Sequence, residues 1–168
     1  MGASDLASLA LRTVVGATMV AHGIKHARSL EGTGKWFASI GFRNPELQAK
    51  ASAVVEIGSG AALVAGVATP LAGAAVVGTM VVAARSVHVR NGFFITAEGY
   101  EYVLNLAAAS VALGALGGGR FSVDRILGRD TRGTGLSGAL VTAGLGVAGG
   151  LAQLALYWKP PSPATYER

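Results

Sequence analysis

A chain of 168 residues without a cysteine cannot run thiol–disulfide chemistry of its own, nor hold a Cys-ligated zinc or iron–sulfur centre. Hydrophobic residues make up 51% of it, charged residues only 14%, and glycine fills 25 positions, a balance foreign to soluble domains and suited to lipid as solvent. The net charge of +5 sits in clusters at the ends of apolar blocks, where basic residues set topology or meet anionic head groups, and no Lys/Arg stripe interleaved with aromatics offers itself to nucleic acid.

The length suits one domain or one compact bundle. The first apolar segment runs from about Leu6 to His22 and follows an acidic Asp5 rather than a basic leader, so it reads as a retained span. Arg12 lies near its outer end, from where its side chain is expected to snorkel to the interface. The second segment, Ala49 to Val67, is broken at Thr69-Pro70. Proline suits the first turn of a following helix, so the third segment, Pro70 to Arg85, closes a tight hairpin with it. The fourth, Gly99 to Leu116, stops at Gly117-Gly118-Gly119. No strand precedes that triplet and no Lys-Ser/Thr follows, so it is a helix terminator and not a phosphate loop. The fifth runs from Leu136 to Trp158. Several of these lie at the short end of the ~17–25 residues a membrane helix needs.

Two connections are longer. Lys25 to Lys50 carries Trp36, Phe37, Ile40 and Phe42 among basic residues, the make-up of a short helix in the head-group zone. Arg120 to Gly135, with Arg120, Arg125, Arg129 and Arg132, reads as a plain interfacial loop. With five spans, nine of the 14 basic residues fall on the side of the first and third loops and the C-terminus, which favours an external N-terminus and a cytoplasmic C-terminus.

Ionisable residues inside apolar runs are the first candidates for function. Glu56 lies about two turns inside the second segment and shares a helix face with Ser52, Ser59 and Gly60, a small and polar face that suits the bundle interior. Glu101 shares a face with Asn105. His22, Lys25 and His26 lie together at the end of the first segment, and Arg85 and His88 at the end of the third. Gathered at one end, they form either a salt-bridged cluster that fixes helix register, or a site that binds a polar ligand or relays protons beside a quinone or lipid head. A third reading has them merely facing interfacial water. The i, i+4 pair His22/His26, approached by His88, has the spacing of a metal or haem site, but lone interfacial histidines are more often hydrogen-bonded residues, so no metal is expected and haem is disfavoured. In the fifth segment Gly138, Thr142, Gly146 and Gly150 recur every four residues, a stripe that lets another helix approach closely. Its partner could be this bundle, a second copy, or another protein. Tyr157, Trp158 and Lys159 then anchor that end at the interface, and Pro160-Pro161 stops the helix.

Several motifs resemble the DoxX family of small bacterial membrane proteins. They are His22-Gly23-Ile24-Lys25, Glu56, Gly66-Val67-Ala68-Thr69, and the stretch from Asn91-Gly92-Phe93-Phe94 to Gly99-Tyr100-Glu101. Gly117-Gly118-Gly119-Arg120-Phe121-Ser122-Val123-Asp124 is similar to the family's Gly-Pro-Gly-x-x-Ser-x-Asp ending, with Gly118 in place of the proline. The resemblance covers roughly Leu9 to Asp124. It implies an all-α integral membrane protein with a four-helix transmembrane bundle over 5–127, here followed by an interfacial loop at 128–135, an additional C-terminal helix at 136–159 and a tail at 160–168. It also implies a place in the inner membrane near respiratory chemistry. Family members are linked to a terminal quinol oxidase and to thiosulfate:quinone oxidoreduction, and actinobacterial members to a complex with superoxide dismutase and a sulfurtransferase. Lys25, Glu56, His88 and Glu101 match the family's polar centre.

The expected function is therefore an accessory subunit of a membrane redox complex. Its partners would be other membrane subunits or a second copy of itself, docked on the Gly-rich fifth helix, and quinone is the cofactor to consider. The alternatives are a quinone-linked oxidoreductase that moves protons through Glu56 or Glu101, and a small lipid or solute transporter, disfavoured by the lack of an internal repeat.

Overall fold

In the computed structural model, which describes residues 2–129 and 135–161, the apolar segments become helices joined by short turns. Arg132 of the basic loop and Arg168 of the tail lie outside the described residues. Helix α1, Ala3–Arg28, runs past both ends of its apolar stretch. Asp5 in its first turn accepts from the Gly2 amide, and Lys25, His26 and Arg28 close its last turn, so charges of the right sign meet each end of the helix dipole. A ten-residue helix, α2 (Leu30–Ser39), fills the first long connection.

Helix α3, Pro45–Ala65, begins on a proline and ends at Gly66, whose φ of 71° is left-handed. Helix α4, Thr69–Ala83, continues through one π-helical turn, Ala84–His88, and a 3-10 turn, Val89–Asn91. After a second 3-10 turn at Ile95–Ala97 come α5 (Glu101–Leu116), the single turn α6 (Val123–Ile126) and α7 (Leu136–Tyr157). Among the described residues the extended backbone pairs only once, at the isolated bridge Phe42–Trp158.

Helices α1, α3, α4 and α5 close into a ring, each packed on the next and α5 back on α1, while α7 lies against α4 and α5. Glycine sets how closely they approach. A Cβ on Gly16 would sit 2.6 Å from the Gly60 carbonyl oxygen, and one on Gly60 would sit 2.5 Å from that of Gly16, so α1 and α3 cross backbone to backbone. Val15, Met19, Leu63, Val76, Met80 and Leu113 fill the centre of the ring. The outside stays apolar as well: Val54, Leu71, Leu104 and Leu140 are all more than half exposed, as a lipid-facing wall requires. By length and hydropathy three helices among the described residues can cross a membrane, namely α1, α4 with its extension to Asn91, and α7. Two of the five expected spans fall outside that set. Helix α5 has 16 residues, and α3 carries Glu46, Lys50 and Glu56 along its length.

Two expectations are corrected at the end where α1 begins. Arg12 does not snorkel. It is fully buried and donates to the carbonyls of Leu63 (3.2 Å), Val64 (3.1 Å) and Phe121 (2.7 Å). The last carbonyls of α3 have no partner within their own helix and form the negative end of its dipole, so a guanidinium fork is drawn inward to them. The segment after α5 is not a plain loop either. Ser122 caps α6, and Asp124 accepts from the Ala68 amide (2.5 Å) and from Arg129 (2.8 Å), which pins the segment to the α3–α4 hairpin.

Candidate functional site

The opposite end of the ring is where α1 runs out in Lys25 and His26. There the inward face of α3 presents Glu56, only 3% exposed. One carboxylate oxygen, Oε1, accepts from the Ser52 hydroxyl at 2.5 Å and lies 3.3 Å from His26 Nδ1. His26 Nδ1 is also 3.0 Å from Ser52 Oγ. With the serine proton committed to the carboxylate, Nδ1 is left to act as the donor. The other oxygen, Oε2, is buried without a hydrogen-bond partner.

Glu56 lines two cavities. The first, of about 350 Å³, lies between α2, α3, α4 and α7, with Trp36 and Phe37 on one side and Gln48, Gln153 and Tyr157 on the other. The second, of about 610 Å³, lies inside the ring and is lined by His22, Lys25, His88, Glu98 and Tyr102. Glu56, His26, Trp36, Thr79 and His88 border both. The arrangement is an aromatic and apolar chamber joined to a polar one, with a buried carboxylate and an imidazole at the join. Such a pair can hold a polar head group and pass a proton to or from it.

Of the residues singled out in the sequence, His22, Lys25, Glu56 and His88 come together on the inner cavity. Arg85, Glu101 and Asn105 do not. The π-helical turn that ends α4 swings Arg85 outward over the Trp158 ring, 4.8 Å from its centroid, while His88 turns inward with Nδ1 2.7 Å from the Glu98 carbonyl oxygen. Glu101 caps the loop before its own helix, accepting from the Ile95 amide at 2.8 Å. Asn105 lies exposed on the outside of α5. Glu56 and Glu101 are therefore not one centre, because the carboxylate of α5 is spent on a turn that the sequence pattern does not reveal.

His26 and Ser52, expected beside Lys25 and Glu56, supply the hydrogen bonds of the site, whereas Trp36, Gln48 and Gln153 also line it and were not expected there. Two glutamines inside apolar helices were a readable signal, since a buried amide needs a partner. Here the partner is the other amide, Gln153 Nε2 donating to Gln48 Oε1 at 2.8 Å. The three histidines take separate partners: His26 meets Glu56, His88 meets Glu98, and His22 packs on the Tyr102 ring.

The stripe of Gly138, Thr142, Gly146 and Gly150 is buried inside this chain rather than open to a partner. Thr142 donates to the Pro70 carbonyl, Gly146 lies on Ala74 and Val77, and Gly150 on Gly78 and Val81.

The DoxX family model matches residues 7–89, from α1 to the end of α4. Among curated proteins, one from Bacillus subtilis (strain 168) described as "Putative oxidoreductase CatD" is 31% identical over 109 residues, which cover 65% of this chain and 79% of that protein. No solved structure matches the chain significantly.

Proposed function

The chain belongs to the DoxX family, and from that premise we propose that it is an integral subunit or accessory protein of a bacterial redox complex in the plasma membrane, working beside quinone. The quinone ring docks at Glu56 and His26, with Trp36 against its face. One observation carries this reading: Glu56 is buried, and its Oε2 has no protein partner where two cavities meet. Leaving a buried polar atom unpaired costs on the order of 1–3 kcal/mol, so a side chain kept in that state favours a ligand that completes it. Partner subunits do not dock on the Gly-rich stripe, which α4 already covers, and the outer faces of the bundle are free for them.

A second reading, a quinone-linked oxidoreductase in its own right, is favoured by the description of the Bacillus relative. There Glu56 and His26 would carry the protons that accompany quinone reduction.

Extraction from native membranes in mild detergent, followed by quantitative mass spectrometry, should recover a redox partner in stoichiometric amount. A chain that purifies alone and without quinone would remove the subunit reading. Quinone titration against tryptophan fluorescence reads Trp36 at the site together with Trp158 at the end of α7. Glu56→Gln should weaken quinone roughly tenfold, and Glu101→Gln should leave it unchanged; equal affinity in Glu56→Gln would overturn the site. If the protein turns over quinone by itself, Glu56→Gln should assemble normally and lose that turnover.

A further inference from the structure

We propose that the site is entered sideways from the lipid. A groove between α3 and α7 would hold the linear apolar tail of the ligand while its hydrogen-bonding head lies at Glu56. This rests on the reading of the Glu56 cavity as a ligand site and adds to it the class of ligand, a tailed amphiphile, and the route it takes.

The groove encloses about 310 Å³ over the face of α4. Its floor is Ala75 and Gly78, and its walls are Val55 on α3 and Leu145 and Gly149 on α7. Val55 is 42% exposed and Leu145 55%, so the groove opens on the outer surface of the bundle. At its inner end Val55, Thr79 and Gln153 line both the groove and the Glu56 cavity, so the two spaces adjoin across these three side chains. The polar atoms at that threshold are already engaged. Thr79 donates to the Ala75 carbonyl and Gln153 to Gln48, so the groove offers a tail a mostly apolar surface. The unpartnered Oε2 of Glu56, on a side chain 3% exposed and lining the adjoining cavity, is the independent sign of a ligand.

Gly149 marks the groove as space rather than packing. A Cβ on Gly146 would sit 2.5 Å from Val77 Cβ and one on Gly150 would sit 2.8 Å from the Gly78 carbonyl oxygen, so those two glycines serve the α4 contact. A Cβ on Gly149 meets nothing within 4 Å, and a side chain added there fills the groove. Gly144 is equally open but lies off the groove and provides the control. The tail chemistry is shared by prenylated quinones and by acyl lipids, and Gln153, which Gln48 holds at the threshold, makes α7 part of the route.

The test is tryptophan quenching with a decyl-substituted benzoquinone and with its tail-less analogue, in the whole protein and in the variants Gly149→Leu and Gly144→Leu. Gly149→Leu should bind the tailed quinone roughly tenfold more weakly and the tail-less one unchanged, while Gly144→Leu changes neither. Unchanged affinity of Gly149→Leu for the tailed quinone would overturn the portal. If neither quinone quenches the unaltered protein, the quinone reading fails, and native mass spectrometry of both purified proteins decides the portal separately. An acyl amphiphile retained by the unaltered protein and lost from Gly149→Leu sustains the portal with a lipid head. Equal retention, or none in either, overturns it.

Discussion

Arg12 is the residue on which one end of the bundle rests. Its guanidinium is fully buried and faces carbonyl oxygens, two from the last turn of α3 and one from Phe121 before α6. A single side chain thus ties the start of α1 to a helix terminus and to a loop more than fifty residues further along the chain. Around it Ser8 donates to the Gly117 carbonyl (2.7 Å) and Asp5 accepts from the Arg120 amide (3.0 Å). A Cβ on Gly66 would come 2.3 Å from Arg12 Nη1, so the glycine that ends α3 also makes room for the fork. Arg12→Met keeps the stem but removes three charged hydrogen bonds, leaving the Leu63 carbonyl only its bond from the Gly66 amide, and should destabilise the protein by about 3 kcal/mol. Arg12→Lys should recover only part of that, since an ammonium cannot reproduce the fork. Thermal unfolding in detergent measures both, and a midpoint unchanged in Arg12→Met would show the cluster to be incidental. The sequence displays a charge in an apolar run at Arg12 as plainly as at Glu56, yet its role was not legible there. Its partners are backbone carbonyls, which carry no sequence signal. For Glu56 the neighbourhood was legible but the partner was not: whether Lys25 or His26 meets the carboxylate depends on the rotation of α1 about its axis, and Gly23 sets that by resting on Ile57.

Between elements, contact is governed by where a side chain is missing. Helix α7 lies on α4 because Gly146 and Gly150 bring it down onto Ala74, Val77 and Gly78. The four-residue spacing that permits this could be read directly from the sequence. What it could not say is which surface the stripe meets, because a small-residue face fits any helix equally well. Thr142 settles it by donating to the Pro70 carbonyl in the first turn of α4. Gly146→Ala should therefore push α7 off α4 and cost about 1–3 kcal/mol. Gly144→Ala, in open space on the same helix, should be neutral or stabilise by up to about 1 kcal/mol through helix propensity alone. Chemical or thermal unfolding of the pair separates packing from propensity; equal behaviour of the two variants would refute the role of the stripe. The π-helical turn at Ala84–His88 is the element-level feature that no periodicity announced. It divides Arg85 from His88 and sends them to different sides of α4.

The two ends of the molecule are built differently. At one, Arg12, Ser8, Asp5 and Asp124 lock four elements with buried or charged hydrogen bonds. At the other lie the cavities, roofed by α2, whose Trp36 and Phe37 pack on His26. That roof is held down from outside the ring, by the end of α7. The Arg43 amide donates to the Tyr157 carbonyl (2.7 Å), the Lys159 amide to Gly41 (2.9 Å), and the Trp158 indole to Ile40 (2.7 Å), with Arg85 stacked on the same indole. The segment that family resemblance leaves unexplained is thus the one that closes the site, supplying Gln153 and Tyr157 to the cavity wall and a strap to its roof. Trp158→Phe removes one hydrogen bond of the strap, worth about 1 kcal/mol, and weakens the stacking of Arg85. Since the strap bears only on the end of α2 and the turn after it, while Phe37 keeps α2 packed in its core cluster, this loss should appear as local opening rather than global destabilisation. Hydrogen–deuterium exchange should therefore speed up in residues 30–43 and stay unchanged in the first half of α1 and in the α3–α4 hairpin. Faster exchange spread evenly over the whole bundle would mean that the strap holds the fold and not the roof, and that α2 does not gate the Glu56 cavity.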